Sequence, residues 1–285
     1  MIPAAFQYHS PNSVADAIDL LNTHGADAKI LAGGQSLIPM MKLRLADPQV
    51  IIDLGNISSM NYITKRDGGV AIGGMTTYEQ IESSDAVPSL LSETASSVAD
   101  VQVRNRGTIG GSLSHNDPAA DLPAAIIALG GEITTSSKNA HRTIQAADFF
   151  VDLFTTDLGE NEILSEVFIK SPAPSSGSAY LKFANKASHY AIVGVATLIE
   201  TDSSGNCTSA NIGVSGAGPS AFKAEDAEKV LVGSKLDEST IAEAAIQAGN
   251  GIEFNEDVHA SAEYRAHLLK VYGTRAIRKA VSRIG

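Results

Sequence analysis

"ILAGGQSLIPMMKLRLADPQVIIDL", residues 30–54, sets two adjacent glycines, an amide and a hydroxyl between two apolar runs. A turn that needs left-handed backbone angles is satisfied by one glycine. Gly33-Gly34 followed by Gln35-Ser36 therefore points to something pressing on the backbone, with N–H groups directed at it. "AKILAGG" reads as a short buried strand ending in the glycine turn, and "QVIIDL" as a second strand. Pro39 limits any helix between them to a start after it. Upstream, Ser13 or Asn12 can cap a helix carrying Val14, Ala17, Ile18 and Leu21 at helical spacing, and Gly25 ends it.

The same device recurs along the first half of the chain. A strand over residues 70–72 meets Gly73-Gly74, and Thr76 or Thr77 then caps a helix. Further on come a helix, an irregular polar stretch, Gly110-Gly111, and a helix opened by Pro123. A single Gly-Gly is usually no more than a tight turn, but three in one domain, two flanked by Ser or Thr, favour a bound anion. Pyrophosphate is the obvious ligand, and composition does not separate ATP, NAD and FAD. There is no G-x-x-x-x-G-K-[ST] and "AGGQSL" is not G-x-G-x-x-G, so neither a P-loop nor a Rossmann site is expected.

Composition bounds the rest. The chain has 285 residues, 44% hydrophobic and 19% charged, with a formal net charge of −11. The length favours two domains, and the negative balance argues against nucleic-acid wrapping or an anionic membrane surface. Cys207 is the one cysteine, so this chain cannot itself hold an iron–sulfur cluster or a thiolate metal cage. "MIPAAFQYHSP" lacks secretory features, and no apolar run approaches the roughly 20 residues of a membrane helix. A soluble cytoplasmic protein is expected.

Residues 170–180, "KSPAPSSGSAY", read as the linker. Beyond it "YAIVGVATLIE" and "CTSANIGVSGAG" alternate like antiparallel strands joined by "TDSSGN", and residues 224–284 read as helical. The expected architecture is α+β, with one domain over 1–175 and a small domain of three antiparallel strands and a helical bundle over 176–285.

Among polar candidates, Ser114, His115 and Asp117 in "SLSHNDPAAD" tempt a hydrolase reading. They are sequence neighbours, however, whereas a triad is assembled from distant positions, and no second His stands at ligand spacing. A ligand-binding loop is the better reading, with Asp121 placed to accept from ribose hydroxyls. Lys182, at the opening of the second domain, could reach a ligand held by the first, and Tyr190 could cover a flat ring. Lys186 reads as a surface ion-pairing residue. Arg265, Lys270, Arg275, Arg278 and Lys279 read as a solvated or subunit-facing helix side.

Together, "AGGQSLIPMMKLRLADPQVIIDL", "AIGGMTTYEQIE", "ADVQVRNRGTIGGSLSHNDPAADLPAAIIALG" and "EYRAHLLKVYGTRAI" resemble the FAD-binding medium subunit of the molybdenum hydroxylases. Aerobic carbon monoxide dehydrogenase is the closest type by motif and xanthine dehydrogenase a more distant one. The resemblance runs in order from residue 1 to about 280. It implies a two-subdomain FAD-binding domain of the vanillyl-alcohol-oxidase (PCMH) type, followed by the small flavoprotein C-terminal domain.

It further implies that Ala32, Gly33, Gly34, Gln35 and Ser36 cradle the FAD pyrophosphate, flanked by Lys29, Leu31 and Leu37. Thr108, Gly110, Gly111 and Ser112 would form a second phosphate and ribityl loop, and Asp121 would bind the adenosine ribose. Ala99, Val103, Gly107, Ser114 and His115 match further cofactor-lining positions. Leu164 would pack by its backbone, Lys182 would approach the isoalloxazine, and Tyr190 would stack near it. Ser112 departs from the Asn common in xanthine dehydrogenases.

The flavin would be non-covalent, and no residue of this chain is a catalytic acid, base or metal ligand. The molybdenum cofactor and [2Fe–2S] clusters would sit in a large and a small partner subunit, in what the resemblance implies is a dimer of heterotrimers. This chain would pass electrons from the clusters to an external acceptor. The large-subunit substrate would be carbon monoxide or a purine or other N-heterocycle. The alternatives are a non-redox nucleotide-binding module and a stand-alone flavin oxidoreductase.

Overall fold

Residues 7–53 form the first subdomain: β1 (Gln7–His9), α1 (Val14–His24), β2 (Ala28–Leu31), α2 (Leu37–Lys42) and β3 (Val50–Asp53). The structure is a computed structural model and describes residues 2–285. The three strands run parallel in the order β1-β3-β2. Ser13 caps α1 by accepting from the Asp16 N–H, and Gly25 stops it with a positive φ. Contrary to the sequence expectation, α2 starts before Pro39. Proline is its third residue, where a backbone N–H has no helical partner to lose.

The second subdomain begins with β4 (Ile63–Arg66) and β5 (Gly69–Gly73). Five helices follow: α3 (Tyr78–Glu82), α4 (Ser89–Ser96), α5 (Val101–Arg104), α6 (Ile109–His115) and α7 (Leu122–Ala128). The chain then returns through β6 (Glu132–Ser136), β7 (His141–Gln145), α8 (Ala146–Phe149), the small pair β8 (Phe150–Asp152) and β9 (Thr155–Thr156), and β10 (Ile163–Lys170). The main sheet is antiparallel in the order β4-β5-β10-β6-β7.

Thr77 opens α3 with a complete capping box, its side chain meeting the Gln80 N–H while Gln80 reaches back. The stretch expected to be irregular and polar holds α5 and α6. Asp100 and Thr108 cap them, accepting from Val103 and Gly111 N–H. Gly110-Gly111 thus lies in a helical first turn.

The second domain contains β11 (Ser176–Ala184), β12 (Ala191–Thr201), β13 (Cys207–Ser215) and β14 (Phe222–Lys223) in one antiparallel sheet, then α9 (Glu225–Leu231), α10 (Glu238–Gln247) and α11 (Ala262–Val281). There are four strands, not three, and β11 occupies half of the expected linker, leaving 171–175 as the connection. β12 is buried on both faces. Ala196 and Leu198 belong to the core of the second subdomain, whereas Val193, Val195 and Ile199 join the core beneath the second domain's own helices. An apolar run rather than strict alternation follows from that double coverage.

α7 is the insert that joins the domains. Every one of its residues is buried, as expected of a helix apolar on all sides. A Cβ at Gly213 of β13 would stand 2.0 Å from the Ala124 carbonyl oxygen, so glycine lets the sheet close on α7.

Candidate functional site

A cleft of about 750 Å³ runs between the two subdomains of the first domain and is closed by residues 188–190 of the second. Its first wall is the loop leaving the C-terminal end of β2, the end of a parallel strand at which α/β sheets hold ligands. The adjacent glycines answer two separate demands. A Cβ at Gly33 would lie 2.1 Å from the Arg106 carbonyl oxygen and 2.8 Å from the Gly107 Cα, so this glycine lets one loop pack against the other. Gly34 has φ of +75°, a left-handed conformation, and a Cβ there would meet the Ile38 side chain and not a ligand. Among the described residues, the main-chain N–H groups of Gly33, Gly34, Gln35 and Ser36 have no protein acceptor. Loop and helix start together leave donors for an anion.

The second wall, Gly107–Ser112, is braced. Ile109 N–H donates to the Thr76 carbonyl, Gly110 N–H to Gly74 at 2.9 Å, and Gly111 N–H to the Thr108 hydroxyl at 3.1 Å. A Cβ on Gly110 would lie 2.6 Å from the Gly74 oxygen, and one on Gly107 2.4 Å from the Tyr78 ring. This loop is therefore a scaffold whose amides are largely committed, unlike the first. The Ser112 hydroxyl lines the cleft and meets the buried Tyr78 phenol. Burial pushes that phenol up to about 12.

The third wall brings the domains together. Asp121, 5% exposed at the start of α7, accepts from the Tyr180 hydroxyl and from Lys182 Nζ at 3.0 Å. Burial pushes the Asp121 carboxyl up, opposed by the Lys182 ammonium and both hydrogen bonds. Burial and the Asp121 charge raise the Tyr180 phenol well above its ordinary value. Tyr190 reaches the cleft from a tight turn in which His189 has φ of +61°. Desolvation raises its phenol, as does the charge of Asp117. His115 sits 5.1 Å, ring to ring, from Phe154. Burial lowers the imidazole's proton affinity, which Asp117 partly restores.

All the site residues named from the sequence line this cleft except Leu31 and Lys182. Leu31 lies behind the loop, its Cδ1 3.3 Å from where a Gly34 Cβ would stand. The Lys182 ammonium is spent on Asp121 and on the Ser97 and His189 carbonyls. Lining residues that the sequence did not suggest include Met60, Met75, Tyr78, Phe154 and Leu158–Glu160. Phe154, half exposed at the β8–β9 turn with φ of +51°, carries no local pattern that marks it. The 157–162 segment is held by Arg142, which donates to Asp157 at 2.7 Å and to Glu162 at 2.8 Å. Among the described residues no cluster of three or more His, Cys, Asp or Glu could hold a metal.

The cleft thus offers unpaired amides at one end and sulfur, aromatic and aliphatic surface along its walls. It suits an elongated ligand with an anionic link and flat rings. Those features define a dinucleotide-binding domain with an accessory domain over its mouth. The chain belongs to the family described as the FAD binding domain in molybdopterin dehydrogenase, matched over residues 4–172, and continues with a CO dehydrogenase flavoprotein C-terminal domain over 178–280. It is thereby an oxidoreductase subunit that carries an FAD-binding domain.

Among its relatives, the nicotine 6-hydroxylase medium subunit of Paenarthrobacter nicotinovorans is 40% identical over 98% of each chain. The 6-hydroxypseudooxynicotine dehydrogenase complex subunit alpha of the same organism is 37% identical over 99% of this chain and 97% of that one. The solved carbon monoxide dehydrogenase of Hydrogenophaga pseudoflava superposes with a TM-score of 0.97 at 38% identity, covering 100% of both chains.

Proposed function

We propose that this protein is the FAD-carrying electron-transfer subunit of a heterotrimeric molybdenum hydroxylase, taking electrons from [2Fe–2S] clusters of a small partner subunit and passing them to an external acceptor. The observation that carries the reading is the first wall: four consecutive amides without a protein acceptor at the mouth of a dinucleotide-sized cleft, in a chain that matches medium subunits from end to end. When bound, FAD supplies the redox chemistry, accepting and releasing electrons that no side chain here can carry.

The chain's own residues hold and shield it. Gly33, Gly34, Gln35 and Ser36 donate to the diphosphate, and the Ser112 hydroxyl adds a donor on the facing wall. Asp121 Oδ1 accepts from Tyr180 and Lys182, so Oδ2, met by Lys182 alone, is the oxygen that could accept from a ribose hydroxyl. Tyr190, which lines the cleft from the second domain, would cover the ring and exclude water there. Binding is non-covalent.

The relatives' names span nicotine-type and carbon monoxide substrates at nearly equal identity. Carbon monoxide or an N-heterocycle is the large-subunit substrate in this reading. Assembly as a dimer of heterotrimers and a cytoplasmic location complete the reading, and no helix among the described residues is long and apolar enough to cross a membrane.

The test is the visible spectrum of the purified protein, together with its copurifying chains. Flavin bands with iron–sulfur absorbance and two further subunits are expected. A colourless single chain that takes up no added FAD would refute the proposal.

A further inference from the structure

One ammonium group joins three segments of the chain at the cleft. Lys182 rises from β11, and its Nζ donates to the Ser97 carbonyl at 2.7 Å, the His189 carbonyl at 2.7 Å and the Asp121 carboxylate at 3.0 Å. Ser97 leads into Val98 and Ala99, His189 into Tyr190, and all three segments line the cleft. A lysine ammonium has three N–H donors, so this one, with its side chain 10% exposed, has none left for a ligand.

Two of the tied segments are conformationally costly. Ala99 has φ of +41° and His189 φ of +61°, angles a non-glycine residue keeps only where its surroundings over-determine them. The 185–190 turn is also closed on itself. Asn185 N–H donates to the Tyr190 carbonyl and His189 N–H to the Asn185 carbonyl, each at 2.9 Å, while the Asn185 side chain accepts from Ala187 and Ser188. Such a turn moves as a unit, and the Lys182–His189 bond holds that unit against the first domain.

We infer that Lys182 is a positioning residue for the flavin site, acting through Tyr190 by pinning the 185–190 turn over the cleft, and not by touching the ring. The inference rests on the FAD reading above. Its partner on the other side is the Asp121–Tyr180 hydrogen bond, which fixes the carboxylate that Lys182 grips.

A double-mutant cycle on the full chain in its complex tests this, reading the fluorescence of bound flavin and the Kd for FAD added to the apoprotein. Tyr190→Ala removes the quenching phenol and should raise the fluorescence several-fold. Lys182→Met should raise it as well and weaken FAD about tenfold, because the turn that carries Tyr190 is no longer held over the cleft. The double variant should be no brighter than Tyr190→Ala, because both changes act through one phenol.

Additive brightening would mean that Lys182 acts on the flavin directly. Wild-type fluorescence in Lys182→Met would mean that it positions nothing, and either result overturns the inference. Should Lys182→Met fail to fold, Lys182→Gln, which keeps two N–H donors without the charge, carries the same comparison. A wild-type complex that binds no FAD would remove the premise itself, a different failure from additivity in a protein that does.

Discussion

At Gly33 and Gly34 neighbouring residues are small for unrelated reasons, and substitution separates them. Alanine at Gly33 drives a Cβ into the Arg106 carbonyl, so the two loops must part. A destabilisation of roughly 3 kcal/mol, with loss of flavin retention, is expected. Alanine at Gly34 meets only a flexible side-chain end and a left-handed φ, costing about 1–2 kcal/mol. Denaturant titration beside flavin content checks this, and equal effects at the two sites would refute the distinction. His115 supplies a second prediction at this scale. Burial depresses its pKa below 6.5, so on acidification the unfolded chain takes up the proton first. Stability present above that value is lost as pH falls below it. His115→Gln should flatten this part of the stability–pH curve.

Helix ends and one clamped loop are the element-scale features that shape the cleft. Thr77→Ala removes the hydroxyl half of a capping box on the helix that supplies Tyr78, with an expected loss of about 1 kcal/mol by thermal unfolding. Arg142 binds Glu162 and Asp157 from a side chain 43% exposed, so Arg142→Met should cost less than about 1 kcal/mol globally. It should nonetheless open residues 157–162 to limited proteolysis, and an unchanged digestion pattern would argue against the clamp. Several elements were legible locally. Ser13, Gly25 and Thr77 announce helix limits by hydrogen bonds that span three or four residues. α6 was not, because Gly110-Gly111 in its first turn has poor helix propensity and is kept helical by the Thr108 cap and by Gly74 in the turn after β5.

For the whole molecule, the two domains are tied by Glu93 of α4, which accepts from Lys279 at 2.6 Å and Arg283 at 2.7 Å near the end of α11, and from Tyr180 N–H at 3.3 Å. Burial works against its charge, but the Arg283 and Lys279 hydrogen bonds hold its carboxyl below the ordinary 4.5. The stability it contributes is therefore complete above 4.5 and lost as pH falls through the lower folded value. Glu93→Gln should lower stability by roughly 1–2 kcal/mol at neutral pH and remove that part of the acid sensitivity, read from unfolding midpoints across pH 3–6. A variant as acid-labile as the wild type would disprove the assignment.

The sequence by itself determined the class of fold, the order of the two domains, the glycine-bearing loops and the family, because each rests on contiguous patterns: strand–Gly-Gly–polar segments, caps and apolar periodicity. Only the tertiary structure decided what the paired glycines are for and what Lys182 does. Gly33 is small because Arg106 lies against it, and the Lys182 ammonium is spent because Ser97, Asp121 and His189 converge on it. Contacts between residues so far apart in the chain leave no periodicity to read, since they exist only once the two subdomains have packed together and the second domain has closed over the first.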